Sequence, residues 1–341
     1  MIFLGDLACP KERVEDFNRA VDSLSVLDDE ILIINLEAVI LDEGKQVKTE
    51  TLYNHPQVLE TLKRKAGKVI VSLANNHMYD YPEEILPTKE FLESHGIGVF
   101  GLREPDGRVL PFEFNHNGIE YAFFGHSWNL YSRTNPNKTN DVRIVDIEYR
   151  DFLTVVTNHI QNNPQRQVFC FMHWNYDLEK LPFPMHIKLA HALIDSGVSG
   201  VIGSHSHVCQ GVELYKNRPI AYCLGNFYLP SGIFFDGELT YPVSSKETIG
   251  INITDENYKI LKFSTDCDVP VKYIETTDFC NLDNFIYPKG NQYIKFFKKN
   301  RVKRLLVPVF TEYNGIKYYF NRGFAVSRIK AIKTIQKILN R

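Results

Sequence analysis

The first 210 residues alternate short apolar, β-rich runs with segments whose apolar residues recur at helical spacing. Strands that alternate with helices pack as sheets covered by helices, so this alternation restricts the chain to a layered α/β fold. The dipeptide Asn117-Gly118 predicts a tight type I′ hairpin turn between two of the strands. The predicted strands are 1–5, 30–35, 68–73, 109–114, 119–125, 167–172, 198–203 and 219–224. The predicted helices are 10–24, 56–67, 81–94, 151–161 and 185–195.

The alternation fades after about residue 230, so we divide the chain into a domain at 1–235 and an extension at 236–341. Residues 236–290 have the composition of strands and loops, and Asn314-Gly315 predicts a further hairpin over 305–321. Residues 325–339 predict a basic amphipathic helix whose apolar face packs on the rest of the protein. That face contains Ile329, Ile332, Ile335, Ile338 and Leu339.

Charge is distributed unevenly along the chain. Residues 295–341 contain thirteen Lys and Arg residues and a single acid, Glu312, so this segment carries +12 and residues 1–294 carry −14. Such a segment predicts contact with an anionic partner, namely a membrane surface, a polyanionic polymer or an acidic protein such as a synthase complex. A solvated helix face would have the same composition. Positive charge confined to this segment argues against nucleic acid as a partner.

The sequence also bears on location. Its first residues lack the basic and apolar regions of a secretory leader, and no apolar stretch approaches the roughly 18 residues of a membrane span. The six cysteines form no CxxC motif, and Cys170 and Cys223 lie inside apolar runs, which favours reduced thiols in the core. We therefore expect a cytoplasmic protein, which the basic segment would allow to sit peripherally at the inner face of the membrane.

Residues able to bind metals follow five of the apolar runs. Taken singly, each motif is typical of ordinary structure, because Asp and Asn form turns and helix caps and a lone His often sits hydrogen-bonded in a core. Their joint occurrence after strands favours one shared site, which we expect at one end of a single sheet. The motifs are Gly5-Asp6, Asn35-Leu36-Glu37, Ala74-Asn75-Asn76-His77 with Asp80, His173-Trp174-Asn175 and Gly203-Ser204-His205-Ser206-His207.

Two-metal hydrolysis is the chemistry that uses this mixture of side chains. Two divalent ions roughly 3.5–4 Å apart need a bridging carboxylate and further donors on either side. Carboxylate, amide and imidazole donors together favour Mn, Fe or Zn over Ca, which prefers oxygen alone. The absence of a cysteine cluster in the sequence disfavours a structural zinc site. We therefore predict two divalent metal ions as cofactors.

In this order the motifs resemble those of the calcineurin-like metallophosphoesterases, and more closely those of the CapA family of capsule and poly-γ-glutamate synthesis. The resemblance covers about residues 1–230 and implies a layered sandwich of mixed β-sheets flanked by helices. The later residues would add a β-rich extension and a terminal helix. The matching motifs are Gly5-Asp6, Asn35-Leu36-Glu37, residues 75–81, His173-Trp174, residues 203–211 and Leu224-Gly225-Asn226-Phe227.

The resemblance also implies roles for individual residues. One metal would have three protein ligands, namely Asp6, Glu37 and His207. The second would have four and share the bridging carboxylate with the first, namely Glu37, Asn76, His173 and His205. His77 would contact the scissile phosphate or protonate the leaving oxygen, and Asp80 would orient its ring, as a positioned imidazolium requires. Substrate contacts are expected from Asn175, Gln210 and Asn226.

Two positions depart from the pattern of the wider superfamily. Ala8 stands where an Asp-x-His motif would place its histidine, and Glu37 stands where an aspartate is typical. The first metal site therefore has one ligand fewer and a longer bridging side chain. Either water completes the coordination of that ion, or only one ion is held firmly.

The resemblance implies a phosphoester hydrolase that acts on an anionic phosphorylated glycan or polymer intermediate of capsule or poly-γ-glutamate synthesis. In that reaction a metal-bound hydroxide attacks phosphorus while the ions neutralise the non-bridging oxygens. Hydrolysis of another bond, such as an amide of a γ-linked polymer, is chemically open at such a site. The alternative from a different class is a non-catalytic accessory subunit of a synthesis complex with a vestigial metal site, which the missing ligand and the basic segment both favour.

Overall fold

A computed structural model describes residues 1–42, 44–130, 142–254, 257–266, 269–278, 290–302 and 306–339. The strands in these ranges are β1 (Ile2–Leu7), β2 (Ile31–Leu36), β3 (Lys68–Ser72), β4 (Gly98–Phe100), β5 (Leu102–Arg103), β6 (Phe112–His116), β7 (Ile119–Ser127), β8 (Arg143–Ile144), β9 (Gln167–His173), β10 (Gly200–Ser204), β11 (Val212–Tyr215), β12 (Arg218–Ala221), β13 (Asn226–Tyr228), β14 (Glu247–Ile253), β15 (Tyr258–Asp266) and β16 (Val269–Asp278). The α-helices are α1 (Val14–Ser23), α2 (Gln57–Lys65), α3 (Ile85–Ser94), α4 (Tyr149–Asn162), α5 (Pro184–Asp195), α6 (Asn291–Asn300) and α7 (Gly315–Leu339).

Two mixed sheets form the centre of the molecule. In the first, the strand order is β16-β15-β14-β1-β2-β3-β4, with β13 also paired to β1. Strands β1 to β4 are parallel, whereas β14, β15 and β16 are antiparallel. In the second, the order is β11-β12-β10-β9-β7-β6, with four parallel strands in the middle and antiparallel strands at both edges. Strands β5 and β8 form a small separate pair.

The two sheets pack face to face and helices cover their outer faces. Alternate residues of β1 divide between two layers: Phe3 belongs to the apolar layer between the sheets, while Leu4 belongs to the layer beneath α1 to α3. The same division separates Ile33 from Ile34 on β2, because successive side chains of a strand point to opposite faces. A third apolar layer joins the outer face of the second sheet to α4, α5, α6 and α7. The fold prediction, mixed sheets flanked by helices, is confirmed.

Most predicted elements are present, but two expectations about assembly are wrong. The strands that carry the site motifs belong to two sheets and not to one, since β1, β2 and β3 lie in the first sheet and β9 and β10 in the second. The predicted hairpin over 305–321 is also wrong, because Gly315 opens the long helix α7. The hairpin turn at Asn117-Gly118 is confirmed, with φ of 53° and 82°.

The segment after residue 235 packs on both sheets. Strand β14 pairs with β1, so β14, β15 and β16 continue the first sheet. Helix α7 buries Tyr318 and Ala325 against the second sheet's outer layer, and Ile329 packs partly there. Ile332 and Ile335 are exposed, contrary to the predicted packing face, and the side chains of Ile338 and Leu339 lie outside the described residues. Across the described ranges, no helix combines the length and apolar composition needed to cross a membrane.

His126 on β7 gives the fold a pH-dependent component of stability. Its ring is buried and Nε2 donates to the carbonyl oxygen of Ile147 at 2.8 Å. Burial lowers the pKa of His126 to about 4, whereas the unfolded chain has a histidine pKa of about 6.5. The unfolded state therefore binds the proton at higher pH, and the stability contributed by neutral His126 is complete above about pH 6.5 and is lost as the pH falls towards 4.

We predict that His126→Gln, whose amide can donate to the same carbonyl, loses less stability between pH 7 and pH 4 than the wild type. The difference should reach about 3 kcal/mol, the free energy equivalent of the pKa difference. Urea unfolding at a series of pH values measures it, with the exposed His116→Gln as a matched control. Identical pH profiles for the wild type and His126→Gln would contradict the prediction.

Candidate metal centre

The ends of strands from both sheets bring the predicted site residues together. Asp6 lies on β1 and Glu37 directly follows β2, so the first sheet supplies both carboxylates. His173 ends β9 and His205 follows β10 in the second sheet. Asn76 begins a short 3-10 turn after β3. The predicted metal ligands therefore meet at one edge of the sandwich, between the two sheets.

Two glycines allow the close approach that this convergence requires. A Cβ atom on Gly5 would lie 1.9 Å from the carbonyl oxygen of Gly225, and one on Gly203 would lie 1.9 Å from that of Tyr222. No side chain fits at such distances, so the glycines of the Gly-Asp and Gly-Ser-His-Ser-His motifs are needed for packing. They allow the strands that carry Asp6 and His205 to pair closely with their neighbours.

The carboxylates of Asp6 and Glu37 are completely buried beside one another. Asn35 lies between them, and its Nδ2 donates to Asp6 Oδ1 at 2.7 Å and to Glu37 Oε2. Burial and the neighbouring charge of Asp6 raise the pKa of Glu37 well above its usual value. The pair is therefore strained electrostatically, and a cation between the carboxylates would relieve the strain.

The imidazole of His173 links the two sheets. Its Nδ1 lies 3.0 Å from Ser204 Oγ, and its Nε2 lies 2.7 Å from Asn76 Oδ1 and 3.5 Å from Glu37 Oε1. The ring of His205 is 4.5 Å away, centroid to centroid. Burial lowers the pKa of His173 well below its usual value and that of His205 to about 4. Both rings are therefore neutral at physiological pH, which is the form that binds metals.

His207 is in a different electrostatic environment. Its Nδ1 lies 2.8 Å from Asn226 Oδ1 and 3.4 Å from Asp6 Oδ2. Burial alone would lower the pKa of His207, but hydrogen bonding to Asp6 and the charges of Asp6, Asp177 and Glu37 raise it to about 9. Without a metal, this histidine is therefore the cation that balances the buried carboxylates.

His77 and Asp80 form the predicted pair. His77 Nδ1 lies 2.7 Å from Asp80 Oδ2, which also accepts the main-chain N–H of Leu52 at 3.0 Å. His77 Nε2 is 4.0 Å from Glu37 Oε1, so the ring borders the carboxylate cluster. Asn75 Oδ1 accepts the N–H of Met78 and holds the turn that presents the pair. The contact is found; its catalytic role stays a prediction.

The donor set fits divalent metal ions. Two groups of three side chains bring one potential ligand atom from each member within 4.8 Å of the others: Asp6, Glu37 and His173, and Asp177, His205 and His207. Among the described residues, Glu37 Oε1 is a buried oxygen that accepts no hydrogen bond. A buried acceptor without a donor is costly, and a cation would satisfy it. The residues are therefore compatible with metal binding.

The three predicted substrate contacts lie deeper than expected. Asn175 and Gln210 are buried, and their side-chain amides donate to the main-chain oxygens of Leu181 and Glu179. Asn226 is also buried and contacts the ring of His207. All three amides hold other parts of the site in place, which makes them less available to a substrate. Their contact with substrate stays a prediction.

Two residues near the site were missed from the sequence. Asp177 follows His173 by only four residues, and an acid so close to a metal-binding motif could have been noticed. Tyr241 packs on His207 with ring centroids 5.2 Å apart. Burial and the charges of Asp177, Glu37 and Asp6 raise the pKa of Tyr241 well above its usual value. Tyr241 carried no sequence signal because the chain returns to the site far from any motif.

Comparisons with known proteins agree with the motifs. The sequence model of the family described as "Bacterial capsule synthesis protein PGA_cap" matches residues 3–231. The "Capsule biosynthesis protein CapA" of Bacillus anthracis is 27% identical over 188 residues, which cover 51% of this chain and 43% of that protein. The "PGA biosynthesis protein CapA" of Bacillus subtilis (strain 168) is 24% identical over 194 residues, which cover 55% of this chain and 48% of that protein. The chain spans about half the length of these curated relatives.

A solved structure from Mycoplasma pneumoniae, described as a novel phosphatase, also aligns with this chain. The alignment covers 81% of this chain and 90% of that one, with 12% sequence identity and a TM-score of 0.46. The alignment thus covers most of both chains, but the two structures superpose only loosely.

We predict that Glu37→Gln abolishes stabilisation by Mn²⁺ without destabilising the unliganded protein. The substitution keeps the side-chain volume and removes repulsion with Asp6, so the unliganded melting temperature should equal or exceed that of the wild type. A ligand at 100 times its Kd adds about 2.7 kcal/mol to the wild type. Calorimetry with and without Mn²⁺ measures both effects, and the exposed Glu93→Gln should keep the full shift. A full Mn²⁺ shift in Glu37→Gln would contradict the assignment.

Proposed function

Because this chain belongs to the bacterial capsule synthesis protein family PGA_cap, we propose that it is a metal-dependent phosphoester hydrolase of cell-surface polymer synthesis. One observation carries the proposal: the buried Glu37, with an oxygen that accepts no hydrogen bond, lies between a histidine cluster and the His77–Asp80 pair. The Glu37 carboxylate thus has potential metal ligands on one side and a possible proton donor, His77, on the other.

The metal centre would use the residues of both sheets. Asp6, Glu37 and His207 would hold one divalent ion, with Mn, Fe or Zn suited to this donor set. The second ion would have four ligands and would share the Glu37 carboxylate with the first ion. These ligands are Glu37, Asn76, His173 and His205. Two such ions supply an activated water and neutralise charge on the phosphoryl oxygens. Asn35 holds the two carboxylates in register, and Ser204 fixes the ring of His173.

His77 would carry the proton for the leaving group. Asp80 Oδ2 accepts from His77 Nδ1, which fixes the ring and leaves Nε2 directed towards the carboxylate cluster. When Nε2 also carries a proton, the imidazolium in this orientation can transfer that proton to a departing alkoxide, a contribution worth roughly 10²–10⁴-fold in rate. The side chain is mostly buried yet retains some exposure, so a substrate that reaches the centre from solvent can contact it.

The substrate we propose is an anionic phosphorylated glycan or polymer intermediate. The support is the family and the names of the relatives, which refer to capsule and PGA biosynthesis. A phosphoryl group suits a centre where buried carboxylates would attract cations and the cations would in turn attract anionic oxygens.

A non-catalytic accessory role is the second candidate, and Ala8 favours it. This residue is completely buried with Leu52 and Leu229 in an apolar cluster, so β1 provides a single donor, Asp6, to the centre. Some relatives carry the description "Probable polyglutamine synthesis accessory protein". In this role the centre would bind a metal weakly and turn over no substrate.

We expect Mn²⁺-dependent hydrolysis of p-nitrophenyl phosphate by the purified chain. Glu37→Ala and His205→Ala should lower kcat/KM by at least about 100-fold, roughly 2.7 kcal/mol of transition-state stabilisation. Asp80→Asn should lower kcat more than it changes KM, because Asp80 acts through His77. The exposed His116→Ala is the control and should retain full activity.

The outcomes separate the candidates. Turnover that depends on metal, Glu37 and His205 supports the hydrolase. A chain that binds metal but hydrolyses neither aryl phosphates nor a γ-glutamyl anilide contradicts it and supports the accessory role. Hydrolysis of the anilide alone would overturn the phosphoester assignment in favour of amide cleavage.

The basic segment at 295–341 would bring the protein to an anionic membrane surface. On one face of α7, Ile316 is 91% exposed and Phe320 is 74% exposed. The side chain of the adjacent Lys317 is also exposed, as is that of Lys330 further along this helix. Exposed apolar side chains flanked by lysines are typical of helices that lie in the headgroup region of anionic membranes. The opposite face, with Tyr318, anchors the helix to the second sheet's outer layer.

We predict that the full chain co-sediments with phosphatidylglycerol vesicles at low salt and is released as salt rises, because counterions screen the attraction. Ile316→Ser and Phe320→Ser should each weaken binding several-fold without unfolding the protein, since both side chains are exposed. Val243→Ser, which removes a side chain 78% exposed and outside the segment, is the control. Binding that is absent, or that is equal for all variants, would exclude the membrane contact.

A further inference from the structure

Asp177 is a carboxylate that lies beside His205 and His207, in one of the two groups of potential metal ligands. Its Oδ1 lies 3.3 Å from His205 Nε2, and ligand atoms of Asp177, His205 and His207 all lie within 4.8 Å of one another. The Asp177 side chain is 56% exposed, whereas both histidines are buried. A carboxylate thus faces two buried imidazoles from the solvent side of the site.

The loop that carries Asp177 is held at its base by Asn175. Asn175 Oδ1 lies 2.9 Å from the main-chain nitrogen of Tyr176, and its Nδ2 donates to the oxygen of Leu181 at 3.0 Å. The bond to Leu181 closes the loop across Asp177, and the bond to Tyr176 fixes the Asn175 side chain at the start of the loop. The side chain predicted from sequence to touch substrate therefore shapes the loop that places this carboxylate.

A second set of bonds ties the same loop to the loop of His205 and His207. The N–H of Leu178 donates to the oxygen of Ser206 at 2.8 Å. Gln210 Nε2 donates to the oxygen of Glu179 at 2.7 Å. Because these bonds connect one loop directly to the other, the position of Asp177 relative to the imidazoles is fixed by the main chain.

The backbone around this group is strained. Asn175 and Leu178 have φ of 80° and 59°, and His205 and His207 have φ of 94° and 57°. Non-glycine residues in the left-handed region each cost of order 1–3 kcal/mol and persist where the surrounding structure holds them. Four such residues on both sides of Asp177 indicate that the two loops are held in one particular arrangement.

Strand β1 contributes a single donor to the candidate centre. It offers Asp6 to the centre, but Ala8, two residues later, is buried in an apolar cluster and has no donor atom. An ion bound by His207, which contacts Asp6, would therefore have few protein ligands and could accept another. A carboxylate oxygen of the exposed Asp177 lies within 4.8 Å of a ring nitrogen of His207.

We propose that Asp177 is a metal ligand that binds a divalent ion together with His205 and His207. This role rests on the proposed metal-dependent function, but it assigns both histidines to one ion in place of the division of His205 and His207 between two ions. One carboxylate and two imidazoles form a donor set suited to Mn, Fe or Zn. Three protein donors, one of them solvent-facing, leave coordination positions open to water and substrate, as in catalytic metal sites.

The competing explanation is that Asp177 only orients His205 by hydrogen bonding. Asp177→Asn separates the two roles, because the amide oxygen still accepts from Nε2 but is a poorer ligand than a carboxylate. A positioning residue would tolerate this substitution, with Mn²⁺ affinity within about twofold of the wild type. A ligand would not, and we expect a loss of at least about tenfold.

The experiment is a Mn²⁺ titration of the full chain by calorimetry, with electron paramagnetic resonance to count bound ions. Asp177→Asn and Asp177→Ala should both weaken one class of bound Mn²⁺ by at least about tenfold, and Asp177→Glu should restore part of the affinity. The similarly exposed Asp195→Asn, at the end of α5, should bind as the wild type does. The melting temperatures of the metal-free variants should be unchanged, which shows that they fold.

The possible failures are distinguishable. Wild-type affinity in Asp177→Asn, with binding lost in Glu37→Gln, would overturn the role of Asp177 and leave the proposed metal centre intact. A loss in Asp177→Ala alone would assign Asp177 as a positioning residue and overturn the ligand role. Wild-type protein that binds no Mn²⁺ would overturn the metal-dependent function and this inference with it.

Discussion

Phe3 of β1 packs against Phe169 and Phe171 of β9, with ring centroids 5.4 and 6.3 Å apart. This contact lies in the apolar layer between the sheets, where each ring is almost completely excluded from water. Burial of one such side chain contributes about 1.5–3 kcal/mol. Asp6 follows Phe3 on β1, and His173 follows Phe171 on β9, so the distance between these ligands is set by how the two sheets pack. The geometry of the candidate metal centre therefore depends on the sandwich core and not on its loops alone.

Local sequence signals predicted the elements of this fold better than their assembly. Asn117-Gly118 joins two strands, because both residues adopt the left-handed φ that a type I′ turn needs. Asn314-Gly315 carries the same signal, yet Gly315 opens α7, since Tyr318 and Ala325 recur at helical spacing and are buried together. A turn dipeptide reverses the chain but does not determine the element that follows. Sheet membership likewise depends on contacts between residues distant in sequence, so the expectation of one sheet was wrong.

The site was predictable where its residues stand in short motifs after strands. The contact between His77 and Asp80 follows from their spacing within one 3-10 turn. Asp177 and Tyr241 were not predicted. Asp177 does stand close to the His173 motif in the sequence, but the proximity of both residues to His207 comes from tertiary packing. The turn role of Asn175 was not predictable either, because it follows from a left-handed backbone and two main-chain partners; its contact with substrate stays a prediction.

The buried acids also bear on whether the centre is catalytic or vestigial. Asp6 and Glu37 are completely excluded from solvent, and burial together with the neighbouring charge of Asp6 raises the pKa of Glu37. A glutamine at position 37 would have nearly the same volume, would keep a hydrogen-bonding partner for Asn35, and would remove the repulsion. A protein that needed only the shape of this site would therefore be more stable without the second charge. His207 balances part of this charge, and a cation bound between the two sheets would balance more of it. The retained acid at position 37 is therefore compatible with a centre that binds metal.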